Sequence, residues 1–404
     1  MQTRIPEHIR ETVAGAEAEG ILRNCVHCGF CNATCPTYQL LGDELDGPRG
    51  RIYQIKDLLE GGEVTRRTQQ HLDRCLTCRN CETTCPSGVE YGRLVDIGRE
   101  LVEARVARPW HERVTRRALR AVIPEPRRFR ALLGLGRLAR PVLPPGLRRR
   151  IPARQPAGTW PAPRHARHML CLTGCAQPAL APRTDAAAAR VLDAVGVSLV
   201  AAPAGCCGAV DQHLAAPEAA RARMRANIDA WWPALEAGAE GILVTASGCG
   251  AQVRDYGHLL ADDPDYAERA ARVSEAVRDP VEVLTAEQLA TLRPDPAPRV
   301  AVQEPCTLQH GQGLGGRLTA LLQGAGLETV PVAEGHLCCG SAGTYSLLQP
   351  GLAGQLRERK LGHLTAGEPE IIATANIGCQ HHLEAASPVP VRHWLELFDP
   401  EEIA

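Results

Sequence analysis

"CVHCGFCNATCP" (Cys25–Pro36) places four cysteines in twelve residues and stops on a proline. "CLTCRNCETTCP" (Cys75–Pro86) repeats that spacing, beginning forty residues after Cys35. Each copy has the form C-x2-C-x2-C-x3-C-P. Three sulfurs at i, i+3 and i+6 can wrap one face of a compact unit, whereas a disulfide needs only two. Structural zinc sites separate their CxxC pairs by a longer loop. The spacing is that of [4Fe–4S] binding in bacterial ferredoxins, where the fourth cysteine of each run serves the other cluster. On that logic Cys25, Cys28, Cys31 and Cys85 hold one cluster, and Cys75, Cys78, Cys81 and Cys35 hold the second. Pro36 and Pro86 lack an N–H and help turn the fourth cysteine away toward the neighbouring run.

The rest of the composition agrees with metal binding. The chain has 404 residues and 17 cysteines, and an odd count argues against a complete set of disulfides. Its length suggests two or three domains. The N-terminal stretch "MQTRIPEHIRETVAGAEAEG" has no apolar h-region, so no secretory signal is expected. No apolar run is long enough for a membrane span. Clustered CxxC motifs in such a chain read as metal ligands in a reducing, cytoplasmic compartment.

Between the two runs, Ile52, Ile55, Leu58 and Leu59 fall at helical spacing and "GG" closes the segment. This favours a helical two-cluster domain over a compact β-rich ferredoxin. Arg49 and Arg51 read as exposed surface arginines.

The formal net charge of -1 hides an asymmetry. Residues 105–154 carry fifteen arginines and two acids, Glu112 and Glu125. Arginine alternates with leucine there and prolines interrupt, which predicts short amphipathic helices. Such a segment could pack its leucines on the domain behind it, dock an acidic partner, or lie on an anionic membrane. The first is the expectation. Nucleic acid is not an expected partner, because aromatic residues make up only 3% of the chain.

A second repeat starts at residue 166. "HMLCLTGC", "VSLVAAPAGCCGA" and "GILVTASGCGAQ" are answered by "RVAVQEPCTLQH", "TVPVAEGHLCCGSAG" and "EIIATANIGCQHH". The exits "DPVEVLTAEQLA" and "VPVRHWLELFDP" both read as strand then helix. Strands that end before cysteines and alternate with helices imply duplicated parallel α/β units. Loops at the carboxyl ends of such strands share one edge. Cys175, Cys206, Cys207 and Cys249 therefore form one candidate metal set, and Cys306, Cys338, Cys339 and Cys379 the other. Cys171 is a spare. Gly208 and Gly340 let the backbone turn behind each double cysteine. "GQGLGG" (Gly311–Gly316) lacks the spacing of a dinucleotide fingerprint, and His381 and His382 read as solvent-facing.

Two CxxCxxCxxxCP runs joined to two CCG units resemble the iron–sulfur subunits of bacterial glycolate oxidase. The match is closest in "CVHCGFCNATCPTY", "GPRGRIYQIK", "CLTCRNCETTCPSGVEYG", "CCGSAGTYS" and "ANIGCQHHL". Iron–sulfur subunits of anaerobic glycerol-3-phosphate dehydrogenase and heterodisulfide reductase belong to the broader family and supply the alternative readings. The resemblance implies an α+β multidomain chain. Residues 1–104 form a helical ferredoxin-type domain with two [4Fe–4S] clusters, and 105–165 a basic amphipathic linker. Residues 166–295 and 296–404 form two cysteine-rich CCG domains. It further implies an electron-transfer subunit with no catalytic residue of its own. A flavoprotein partner oxidises a 2-hydroxy acid, and a quinone or another carrier takes the electrons, with a peripheral contact at the inner face of the membrane. Heterodisulfide reductase relatives carry a fifth cysteine per CCG unit, where this chain has Ala246 and Asn376. Each unit thus keeps four thiols, suited to an ordinary iron–sulfur cluster or zinc.

Overall fold

The computed structural model describes residues 1–144, 148, 151–203 and 205–403. Its N-terminal third is helical. Thr12 accepts a hydrogen bond from the Gly15 N–H and starts helix Val13–Asn24. Gly47 and Pro48 open helix Pro48–Leu59, and the third long helix is Tyr91–Arg105. Ile52, Ile55, Leu58 and Leu59 are all buried on one face and meet Leu22, Leu94 and Val95. Each fully buried leucine contributes about 1.5–3 kcal/mol of transfer free energy. Two helices touch at Gly98, where an added Cβ would lie 2.7 Å from the Ile55 side chain.

Two four-stranded parallel sheets follow. The strands of the first are β1 (Arg167–Cys171), β2 (Val197–Ala201), β3 (Ile242–Leu243) and β4 (Val277–Arg278). Those of the second are β5 (Val300–Gln303), β6 (Thr329–Val330), β7 (Ile371–Thr374) and β8 (Val391–His393). Their spatial orders are β2-β1-β3-β4 and β6-β5-β7-β8, so the duplicated sequence folds into duplicated topology. Runs such as "VAVQ" and "IIAT" are buried throughout, as strands covered on both faces require. One exit departs from expectation. "DPVEV" is not a strand: its strand lies just upstream at Val277–Arg278, and Asp279 and Pro280 start a helix with a capping box.

The two units share one hydrophobic core that includes Val197, Leu199, Val302, Leu318, Trp394 and Phe398. Polar contacts pin them together. Thr184 Oγ1 donates to Glu396 at 2.7 Å, Arg190 pairs with buried Asp399, and the hydroxyls of Ser247 and Thr307 lie 2.8 Å apart.

The basic segment forms helices Trp110–Val122 and Pro126–Ala139, with no buried residue in either. The expectation that its leucines pack on the domain behind holds only in part: Leu119 and Leu133 are half-buried, and Leu132, Leu135 and Leu138 are exposed. The polar face docks as well: Arg116 binds Asp73, Arg120 binds Asp211, and Glu125 binds Arg223. Trp110, Val114, Leu132, Leu135 and Leu138 face outward, Leu138 at 79% exposure. The body offers carboxylates at the facing positions, so charge rather than apolar burial sets the orientation. Residues 145–147, 149 and 150 of the segment lie outside the described residues. Among the described residues, no helix is long and apolar enough to cross a membrane.

Candidate metal centres

Both sulfur runs adopt the same loop. His27 and Gly29 have φ of 60° and 86°, and Thr77 and Arg79 repeat this at 53° and 58°. Left-handed residues on either side of the middle cysteine coil the backbone tightly, at a cost of order 1–3 kcal/mol each for the non-glycine positions. Each loop then enters a one-turn helix, Phe30–Ala33 or Asn80–Thr83. The Thr34 and Thr84 hydroxyls meet at 3.1 Å between the two runs.

Cys25, Cys28, Cys31 and Cys85 line one cavity with Gly29, Pro48 and Tyr91, and Cys81 also touches it. Cys31 is pushed up to about 11 by burial and by Cys25, Cys85 and Cys28. Cys81 is buried among Cys78, Cys75 and Cys35, and burial followed by those neighbours raises it. Thiolates crowded in a dry site repel one another unless a multivalent cation sits among them. The donors are all sulfur, and the first set borders a cavity. Both sets therefore fit a [4Fe–4S] cluster.

Arg51 corrects an expectation. It is 1% exposed and lies behind the second set, not on the surface. Its guanidinium donates to the His71 carbonyl at 2.8 Å and to Thr37 Oγ1 at 3.2 Å, beside Asp46. Burial favours the neutral form, but Tyr91, Cys75, Cys35 and Asp46 outweigh it and raise the pKa. Arg49 is partly covered and pairs with Glu44 at 2.6 Å. Arg99, which the sequence did not single out, donates to the Cys75 carbonyl at 2.7 Å.

In the sheet units, cysteines from three strand ends converge. Cys175 follows β1, Cys206 and Cys207 follow β2, and Cys249 follows β3. Cys175 is raised by its hydrogen bond with Cys206 and by burial, and the same hydrogen bond lowers Cys206. Cys207 is raised by its bonds to Cys206 and Cys249. In the second unit Cys306 and Cys338 lie 3.8 Å apart, and Cys339 and Cys379 3.2 Å. Both sets of four are brought together. Cys171 is fully buried and responds to burial and Asp185, not to the other thiols.

Gly208 and Gly340 have φ of 93° and 90°, and a Cβ on Gly340 would lie 2.7 Å from the Ala353 carbonyl. At the fifth position of the second unit, the Asn376 amide stands 3.7 Å from Cys379 Sγ. His381 and His382 are half-buried, and His382 Nε2 lies 3.2 Å from the Ala353 carbonyl, so they are not solvent-facing. Both lie in helix Ile377–Glu384, and His382 reaches helix Pro350–Thr365.

Lys360 was invisible in the sequence. It is 3% exposed, donates to the Glu334 and Gly335 carbonyls at 3.0 Å, and faces all four thiols of the second unit. No short motif marks it, because helix packing brings it there. The second sulfur run also meets this unit. Leu76, Cys78, Cys306, Cys338 and Tyr345 share one apolar cluster, and Asn80 donates to the His336 carbonyl at 3.1 Å.

Comparison with known proteins agrees with this layout. The 4Fe-4S dicluster domain model matches residues 21–89, and the cysteine-rich domain model matches 169–254 and 300–384. The chain is 57% identical over 401 residues to the glycolate oxidase iron-sulfur subunit of Escherichia coli (strain K12), covering 99% of this chain and 98% of that protein. It is 32% identical over 395 residues to the probable glycolate oxidase iron-sulfur subunit of Bacillus subtilis (strain 168), covering 89% and 88%. Lactate utilization protein A of Geobacillus kaustophilus (strain HTA426) is 29% identical over 196 residues, which is 46% of this chain and 76% of that protein.

Proposed function

The chain belongs to the family of glycolate oxidase iron–sulfur subunits, and on that premise we propose that it carries electrons from a flavoprotein partner to a quinone. The observation that supports this most is the continuity of sulfur: the second ferredoxin-type set adjoins the thiols of the second cysteine-rich unit in one apolar cluster. Similarity over nearly the full length is to glycolate oxidase subunits, so the heterodisulfide reductase and glycerol-3-phosphate dehydrogenase readings are set aside.

In this reading Cys25, Cys28, Cys31 and Cys85 hold one [4Fe–4S] cluster, and Cys75, Cys78, Cys81 and Cys35 the other. Cys175, Cys206, Cys207 and Cys249 hold a further cluster or zinc, as do Cys306, Cys338, Cys339 and Cys379. Bound clusters supply one-electron transfer, which no side chain here can perform. The chain's own residues supply position and charge. Arg51 and Lys360 place buried cations near thiolates, and Leu76 and Tyr345 keep water from the junction. The division into 1–104, a docked segment 105–165, and repeats 166–295 and 296–404 belongs to the same proposal.

The outward face of helices Trp110–Val122 and Pro126–Ala139 is the membrane contact we favour, at the cytoplasmic surface. Arg113, Arg117, Arg127 and Arg130 are exposed there and have no ion pair among the described residues. They accompany the exposed tryptophan and leucines, a combination that suits anionic headgroups above acyl chains.

Anaerobic mixing tests the electron-transfer reading. Glycolate should bleach the iron–sulfur absorbance of this chain only when the flavoprotein partner is present, in a chain holding at least about eight irons. Bleaching by glycolate without a flavin subunit would overturn it, as would a reduced flavin beside clusters that stay oxidised.

A further inference from the structure

A cleft of about 520 Å³, open to solvent, separates helices Val13–Asn24 and Tyr91–Arg105 from the first cysteine-rich unit, and Cys78 lies on its wall. We propose that this cleft binds the ring of a quinone, the carrier class that takes two electrons together with two protons. The inference rests on the electron-transfer reading above.

Three features select that ligand. The first is a set of unmet polar groups. Gln252 is 6% exposed, and its Nε2 has no hydrogen-bond partner. His213 Nδ1 and Asp96 Oδ1 have no hydrogen-bond partner and meet only at ion-pair distance, 3.6 Å from each other, with Arg99 also 3.6 Å from Asp96. A guest with paired carbonyl or phenol oxygens answers donors and acceptors alike.

The second is charge. Glu17, Asp96, Glu100, Asp255 and Asp262 line the cleft against three arginines. Arg79 pairs with Glu82 and Asp255, Arg93 with Glu90, and Arg221 with Asp262. The surplus is negative, which disfavours carboxylate substrates and phosphate-bearing dinucleotides and accepts a neutral ring. Glu100 is raised to about 7 by burial and by Asp96, against Arg221, so it exchanges protons near neutrality.

The third is placement. Val13, Ile97 and Leu259 give the cleft an apolar side suited to an isoprenoid tail. Asp211, which holds Arg120 of the outward-facing amphipathic pair, directly precedes the cleft residues Gln212 and His213. The lipid-facing surface and the cleft are therefore neighbours.

The redox balance closes. Oxidation of a 2-hydroxy acid to the 2-oxo acid on the partner releases two electrons and two protons. Reduction of the quinone adds two electrons, and its carbonyl oxygens take two protons to become phenolic O–H groups.

The test uses the assembled, iron-loaded complex and decylubiquinone. Gln252→Leu should weaken decylubiquinone binding about tenfold, the effect of one lost buried hydrogen bond, with KM for glycolate unchanged. Val13→Trp should obstruct the cleft and raise KM for the quinone alone, with iron content and melting temperature verifying the fold of both variants. An azido-quinone should label peptides spanning 93–100 or 248–259. Unchanged affinities, or labelling confined elsewhere while glycolate still reduces decylubiquinone, would overturn the site and leave the acceptor reading intact. Reduction of an artificial dye without any quinone binding or reduction would overturn both.

Discussion

Thr37 Oγ1 stands 3.3 Å from Cys35 Sγ while it accepts hydrogen bonds from Arg51 at 3.2 Å. One hydroxyl thus links Cys35 to a fully buried cation. At an effective dielectric near 20, one charge about 8 Å away is worth on the order of 2 kcal/mol, or roughly 80 mV for one electron. Arg51→Gln should lower the midpoint potential of the cluster proposed at Cys75, Cys78, Cys81 and Cys35 by about that amount and leave the other almost unmoved. Potentiometric titration followed by electron paramagnetic resonance checks this.

The proposed exchange of fourth ligands predicts opposite signatures for two substitutions. Cys85→Ser should disturb the cluster bound by Cys25, Cys28 and Cys31, although Cys85 lies in the second run. Cys35→Ser should disturb the other. Each variant is expected to lose up to about four irons. Iron analysis with low-temperature spectroscopy distinguishes this from pairing within a run.

Gly340 is the tighter of the two glycines behind the double cysteines. Its added Cβ would meet the Ala353 carbonyl at 2.7 Å, whereas at Gly208 the nearest atom is 3.2 Å away. Gly340→Ala should cost about 2–4 kcal/mol through positive φ and overpacking, and Gly208→Ala less. Thermal unfolding of the two loaded variants should rank them so.

His393 sits fully buried where β8 meets the first unit. Its Nε2 lies 3.0 Å from the Thr245 carbonyl, and its Nδ1 accepts from the Leu395 N–H at 3.3 Å. That bonding suits the neutral ring, and burial lowers the pKa to about 4. The unfolded chain therefore binds a proton first as pH falls from 6.5 toward 4. Stability present above 6.5 is lost through that window, by up to about 3 kcal/mol. His393→Gln should flatten the change in melting temperature between pH 7.5 and 5. A variant as acid-sensitive as the parent would show that the loss arises elsewhere.

The outward face of the basic helices predicts a separable lipid phenotype. Leu135→Asp with Leu138→Asp should reduce binding to phosphatidylglycerol vesicles at least tenfold while iron content stays constant. Both side chains are exposed, so the fold has little to lose. Binding to zwitterionic vesicles should be weak for parent and variant alike.

Sulfur spacing and strand–cysteine alternation, both local or strictly repeated, were legible in the residue order. They determined the two ferredoxin-type sets, the duplicated parallel units and the four-thiol groups at their strand ends. The orientation of the basic segment, the burial of Arg51, the approach of Lys360 to Cys339 and the contact of Cys78 with Cys306 were decided only by tertiary structure. The physical reason is that periodicity reports which face of an element is apolar, not which partner covers it. A cation is buried only where distant carbonyls, carboxylates and thiols meet it, and that meeting exists only once the chain has folded.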